Sequence, residues 1–121
     1  MPATKFSSSR EAAQAALATL EPYARDVRHL VASWLDADLY QRVGHQMERL
    51  RHDFAALPEL SAPWVELLIS HAELVHCLWR SAHLPADEGA KARGAQLAAH
   101  LERVDATLRR CMAIAMDGRP H

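Results

Sequence analysis

Apolar side chains recur three and four residues apart along nearly the whole chain. The runs are Ala13, Leu17, Leu20, Ala24, Val27, Val31, Trp34; then Leu39, Val43, Met47, Leu50, Phe54; then Trp64, Leu67, Leu68, Leu74, Val75, Leu78; then Ala90, Leu97, Leu101, Val104, Leu108, Ala115. A helix turns about 100° per residue, so this spacing gathers each run onto one face of a helix. Breaks fall where helices are expected to stop: Asp36-Ala37-Asp38, Pro58, and Pro85 with Asp87. With only 4 Gly and 6 Pro among 121 residues, little else interrupts the pattern.

Local signals refine the ends. Ser8 and Glu11 have the S-x-x-E spacing of a capping box, which predicts that the first helix begins there. Pro22 lacks an amide hydrogen and is expected to kink or restart that helix near Leu20. Asp38, with Gln41 three residues on, is the expected cap of the second helix, and Ser61 that of the third, with Pro63 tolerated in its first turn. The third helix is expected to run to about His83 and the fourth to about Met116, leaving residues 1–7 and 117–121 frayed. Four amphipathic helices on connections this short imply one all-α domain over residues 1–121. Its architecture is an up-down-up-down antiparallel four-helix bundle with the first helix kinked near Pro22.

Charge narrows the classes of function. Fourteen basic and fifteen acidic side chains are scattered through the helices, for a formal net charge of −1. No basic stripe is available to neutralise a row of phosphates, so nucleic acid is not an expected partner. The Ala-rich start carries Lys5, Arg10 and Glu11 instead of an apolar signal-peptide core, and no apolar run is long enough for a membrane span. Cys77 and Cys111 form no CxxC and read as reduced thiols packed in a cytoplasmic protein.

The chemistry-bearing feature is histidine, with three in the stretch ISHAELVHCLWRSAHL alone. Two imidazoles on one helix share an ion when they stand three or four residues apart, and no pair in this chain does. Angular position places His71 at the centre of the third helix's stripe as the one clearly buried histidine, and His100 at the shoulder of the fourth. His29, His45 and His52 are expected in solvent. Glu73 and His76 match one Glu-x-x-His motif of ferritin-like bundles, which need a second motif and two more inward carboxylates. His76-Cys77-Leu78-Trp79 is similar to the Cys-bearing helix of chemoreceptor zinc-binding domains over four residues, and lacks that helix's glycine and later HxxxH. Arg93 and His100, in Arg-x6-His spacing, resemble the nuclease motif of HEPN domains, where the pair lines a dimer cleft; Arg93 is otherwise a solvated first-turn residue.

Counting outward from the turns puts His71, His100 and Met47 at one height in the bundle, with Val27 near them. Such a layer could hold a soft metal or ligate a haem; the simpler expectation is a buried imidazole hydrogen-bonded to His100 or Tyr23, with no cofactor. A separate feature lies on the outer side of the third helix. Val65, Ile69, Ala72, His76, Trp79 and His83 alternate four and three apart, the seam of a coiled coil. Unless an irregular first helix covers it, this face predicts a homodimer, or a contact with another protein. The functional expectation is a non-catalytic, self-associating interaction module, and the alternative a metal- or cofactor-binding bundle centred on His71.

Overall fold

The computed structural model describes residues 2–117. They form an all-α four-helix bundle: α1 (Pro2–Ala32), α2 (Ala37–Ala55), a single 3-10 turn (Pro58–Leu60), α3 (Ser61–Ser81) and α4 (Ala86–Asp117). Cross-helix pairs fix the direction of each neighbour. Gln46 Nε2 of α2 donates to Asp26 Oδ2 of α1 at 2.8 Å, and the Arg42 guanidinium approaches the other oxygen at 3.6 Å. Tyr40 meets Trp79 near the start of α2 and the end of α3, and Phe54 stacks on Trp64 at their other ends. Ser81 near the end of α3 accepts from Arg93 in the first third of α4, and Glu66 near the start of α3 pairs with Arg103 at the middle of α4. Earlier on α1, Thr19 lies beside Asp53 near the end of α2, so each helix runs antiparallel to the one before it.

The sides of the bundle are not equivalent. α1 packs closely along α2 and α4, and α4 along α3, whereas α2 and α3 approach each other at few points. The core lies mainly between α1, α2 and α4 and the α4-facing side of α3, with Leu20, Val27, Leu30, Leu50, Leu67, Leu74, Leu78 and Val104 fully buried. Burial of an aliphatic side chain is worth roughly 1.5–3 kcal/mol, so these eight alone are a large part of the driving force for folding.

Several ends differ from the sequence expectation. α1 begins at Pro2, so Ser8 lies inside the helix and does not cap it, and residues 2–7 are helical. α1 also continues through Pro22 without a restart. The ring costs the helix one amide hydrogen bond, and packing of α1 against two neighbours along its length outweighs that loss. Asp36, not Asp38, caps α2: its carboxylate accepts from the Asp38 amide at 3.0 Å. Leu60 precedes α3 as its cap, because the 3-10 turn feeds directly into Ser61, and Pro63 does sit in the first turn. α3 ends at Ser81 and α4 at Asp117. The expected fraying of Met1 and of residues 118–121 lies outside the described residues.

Candidate functional site

Four polar side chains from three helices form one hydrogen-bonded chain inside the bundle. Tyr23 of α1 projects between α3 and α4, with its hydroxyl 2.7 Å from His71 Nδ1 and 2.6 Å from His100 Nε2. On the far side of the His100 ring, Nδ1 is 2.7 Å from Ser70 Oγ. The rings stand close, with the Tyr23 centroid 5.8 Å from each imidazole and the two imidazoles 6.1 Å apart. Tyr23 and His100 are wholly buried, Ser70 nearly so, and His71 half-buried.

The expected ranking of the two histidines is thus reversed. The centre of α3's buried stripe is Leu67, Ser70, Leu74, Leu78 and Ser81, which turns His71 to its edge; on α4 the buried line runs through His100, Val104, Thr107 and Cys111. α3 turns Ser70 toward His100 and Ser81 toward Arg93 of α4, and burial of Ser70, Ser81 and Thr107 is what apolar periodicity did not reveal. His71 and His100 do come together, through Tyr23. Met47 is buried on α2, midway between the Tyr40–Trp79 and Phe54–Trp64 pairs, which places it level with His71. The residue joining the two imidazoles is Tyr23. Its signal was present in the sequence, three residues after Leu20 and four before Val27, in the buried line of α1.

Proton counting defines what this chain can do. A hydroxyl has one hydrogen, so Tyr23 donates to one imidazole and accepts an N–H from the other. With both rings neutral the chain is satisfied in either direction, ending at Ser70 Oγ, which accepts from or donates to His100 Nδ1. One added proton fits, with His100 donating from both nitrogens. A second leaves two N–H groups aimed at one oxygen. Burial opposes even the first: it holds His71 and His100 down at about 4, with the neighbouring His71 adding to the effect on His100. It also drives the Tyr23 hydroxyl far above its ordinary value, against phenolate formation.

Ser70 and His100 have the separation of a nucleophile and its base, but the third group is a phenol, not a carboxylate, and the pair is sealed from solvent. Open grooves of about 470 Å³ between α1 and α2, beside Thr19 and Asp53, and about 410 Å³ between α3 and α4, beside His76 and Cys77, are lined by none of these four residues. Among the described residues no group of three His, Cys, Asp or Glu is disposed to hold a metal ion.

Arg93 is not the solvated residue expected. Its guanidinium lies 4.9 Å from the centre of the Trp34 ring and donates to Ser81 Oγ at 3.0 Å, tying the turn between α1 and α2 and the end of α3 to α4. His100, its partner in the Arg-x6-His spacing, is fully buried and lines no cleft. His29, His45 and His52 are exposed as expected. Cys111 is buried, and burial together with nearby Asp53 pushes its thiol up to about 11; Cys77 is half-buried against the Ala92 carbonyl.

The outer face of α3 is bare. Val65, Ile69 and Trp79 are 49%, 55% and 67% exposed, and Ala72, His76 and His83 are exposed beside them. α1 packs on the other side of the molecule and does not cover this face. Trp79 touches Tyr40 by its edge, with centroids 6.3 Å apart, and leaves most of its indole in solvent. No helix among the described residues is long and apolar enough to cross a membrane. No protein-family model matches the chain, and no curated protein and no solved structure matches it.

Proposed function

We propose that the protein is a non-catalytic interaction module of the cytoplasm that self-associates through the outer face of α3. The observation that carries this reading is the exposure of Trp79, Ile69 and Val65 in one helical register. Large apolar side chains grouped on a rigid element mark contact surfaces, and tryptophan is a preferred anchor of such contacts. The Tyr23–His71–His100–Ser70 chain supports the same reading, because its polar groups satisfy one another and Tyr23, His100 and Ser70 are buried. Light scattering at tens of micromolar tests it: the wild type is larger than a monomer, and Trp79→Glu, with an unchanged helical circular dichroism spectrum, is monomeric. A monomeric wild type overturns it.

A second reading has one supporting observation, the convergence of a phenol and two imidazole nitrogens from three helices. A divalent ion there would be held by Tyr23, His71 and His100 after loss of the phenolic proton, with the three ligands moving apart from their present hydrogen-bonded separations. Titration with Co(II) tests it: binding gives visible absorption bands that vanish in Tyr23→Phe, and a spectrum that never changes removes this reading.

A further inference from the structure

We infer that the partner seated on α3 is a second copy of the same helix, running antiparallel, with Ile69 of each copy packed against Trp79 of the other. The inference rests on the proposed association through α3 and adds its direction and register. Along the seam the side chains are mutually complementary under reversal. Pairing Ile69 with Trp79 also sets Ala72 opposite His76 within the helix, and Val65 opposite His83 in the turn that follows it. Each layer then holds one large and one smaller or slimmer side chain, the alternation that lets facing helices interdigitate. A parallel pair would instead set the two Trp79 indoles, the two His76 rings and the two His83 rings each on its own twin.

Charge along the flank of the seam points the same way. The exposed positions next to it on one side are Glu66, Glu73 and Arg80, acidic at the start of α3 and basic at its end. Antiparallel pairing brings Glu66 of each copy to Arg80 of the other, twice by symmetry. Parallel pairing instead sets Glu66 beside Glu66 and Arg80 beside Arg80. Glu66 already touches Arg103 through Oε2 at 3.3 Å, which leaves its other oxygen to face a partner. The two Glu73 carboxylates fall near the symmetry axis and repel; each also stands beside His76 of the other copy. The other flank carries Leu68, Val75 and Ala82, apolar side chains that widen the contact toward α2.

Single-cysteine variants decide the register in full-length protein whose Cys77 is changed to serine; Cys111, being buried, stays. Val65→Cys mixed with His83→Cys, one of them carrying a size tag, forms the mixed disulfide under mild oxidation in preference to either homodimer disulfide. Predominant disulfide formation between two Val65→Cys chains overturns the antiparallel register while leaving association through α3 standing. Sedimentation showing monomer at every concentration overturns the association itself, and an oligomer whose size Trp79→Glu does not change places the contact elsewhere and overturns both. In sedimentation equilibrium Arg80→Glu weakens association several-fold, and adding Glu66→Arg to it restores most of the loss; no restoration counts against the Glu66–Arg80 pairing.

Discussion

The Tyr23 hydroxyl and His100 Nε2 lie 2.6 Å apart at the centre of the bundle, both residues wholly buried, so neither has water to turn to if the other is lost. Replacing Tyr23 by phenylalanine leaves the ring in place and strips one partner from each imidazole. A buried polar group left unpaired costs roughly 1–3 kcal/mol, which predicts a loss of about 2–4 kcal/mol in urea unfolding with little change in slope. Tyr40→Phe, half-exposed beside Trp79, changes stability by less than about 0.5 kcal/mol.

The imidazole pair makes folding sensitive to mild acid. His71 and His100 are held at about 4 in the folded protein against 6.5 for the free side chain. The unfolded chain therefore takes up protons first as pH falls. Their contribution is intact above about 6.5, declines as pH drops from there toward 4, and levels off below. The size is on the order of 3 kcal/mol per imidazole at most, reduced for His71 by its partial contact with solvent. Imidazole titration by NMR finds the His71 and His100 rings still neutral at pH 5.5, and the denaturation midpoint falls between pH 7.5 and 5.5. His71→Leu shows a smaller fall; an unchanged fall would contradict the placement of that ring.

Glycines on α4 respond oppositely to a methyl group. At Gly94 a Cβ meets nothing within 4 Å, so alanine raises stability by about 0.5–1 kcal/mol through the helix preference alone. At Gly89 the same atom would lie 3.0 Å from the Ser81 carbonyl oxygen and 3.1 Å from Arg93 Nη1. The crowding offsets or exceeds the preference, and Gly89→Ala is neutral to about 2 kcal/mol less stable. Thermal unfolding of the two single variants separates them.

Arg93 acts by shape as well as charge. Lysine has neither the flat guanidinium that lies on Trp34 nor the fork that reaches Ser81, so Arg93→Lys is predicted to cost about 1 kcal/mol and Arg93→Ala about 1–2 kcal/mol. A shift of tryptophan emission that is absent from Trp34→Phe reports the lost stack.

Helix number, order and antiparallel direction were legible in the apolar period and the positions of Pro58 and Pro85, because these depend on local spacing alone. Short connections on either side of Pro85 bring His71 and His100 to the same level, where Tyr23 joins them. Rotation was less so. Leu97, Leu101 and Leu108 read as the inward face of α4 but are only half-buried; the core line passes through His100, Thr107 and Cys111. Which polar side chains can be buried depends on partners from other helices, and no single segment shows its partners. Ser70 becomes interior because His100 reaches it, and Arg93 leaves solvent because Trp34 is there to receive it. The bare face of α3, by contrast, was visible as a second periodic stripe, since it needs no knowledge of neighbours.

The uneven closeness of the four helices has a mechanical consequence. Three sides of the bundle are zipped along their length, while the α2–α3 side is fastened by an aromatic clasp at each end, Tyr40 on Trp79 and Phe54 on Trp64. That side has the least packing to hold it shut, and the clasp at Tyr40 shares its indole with the bare face of α3. A molecule gripping Trp79 from outside would therefore act as a splint, stiffening the loosest edge of the bundle from a surface that lies beyond it.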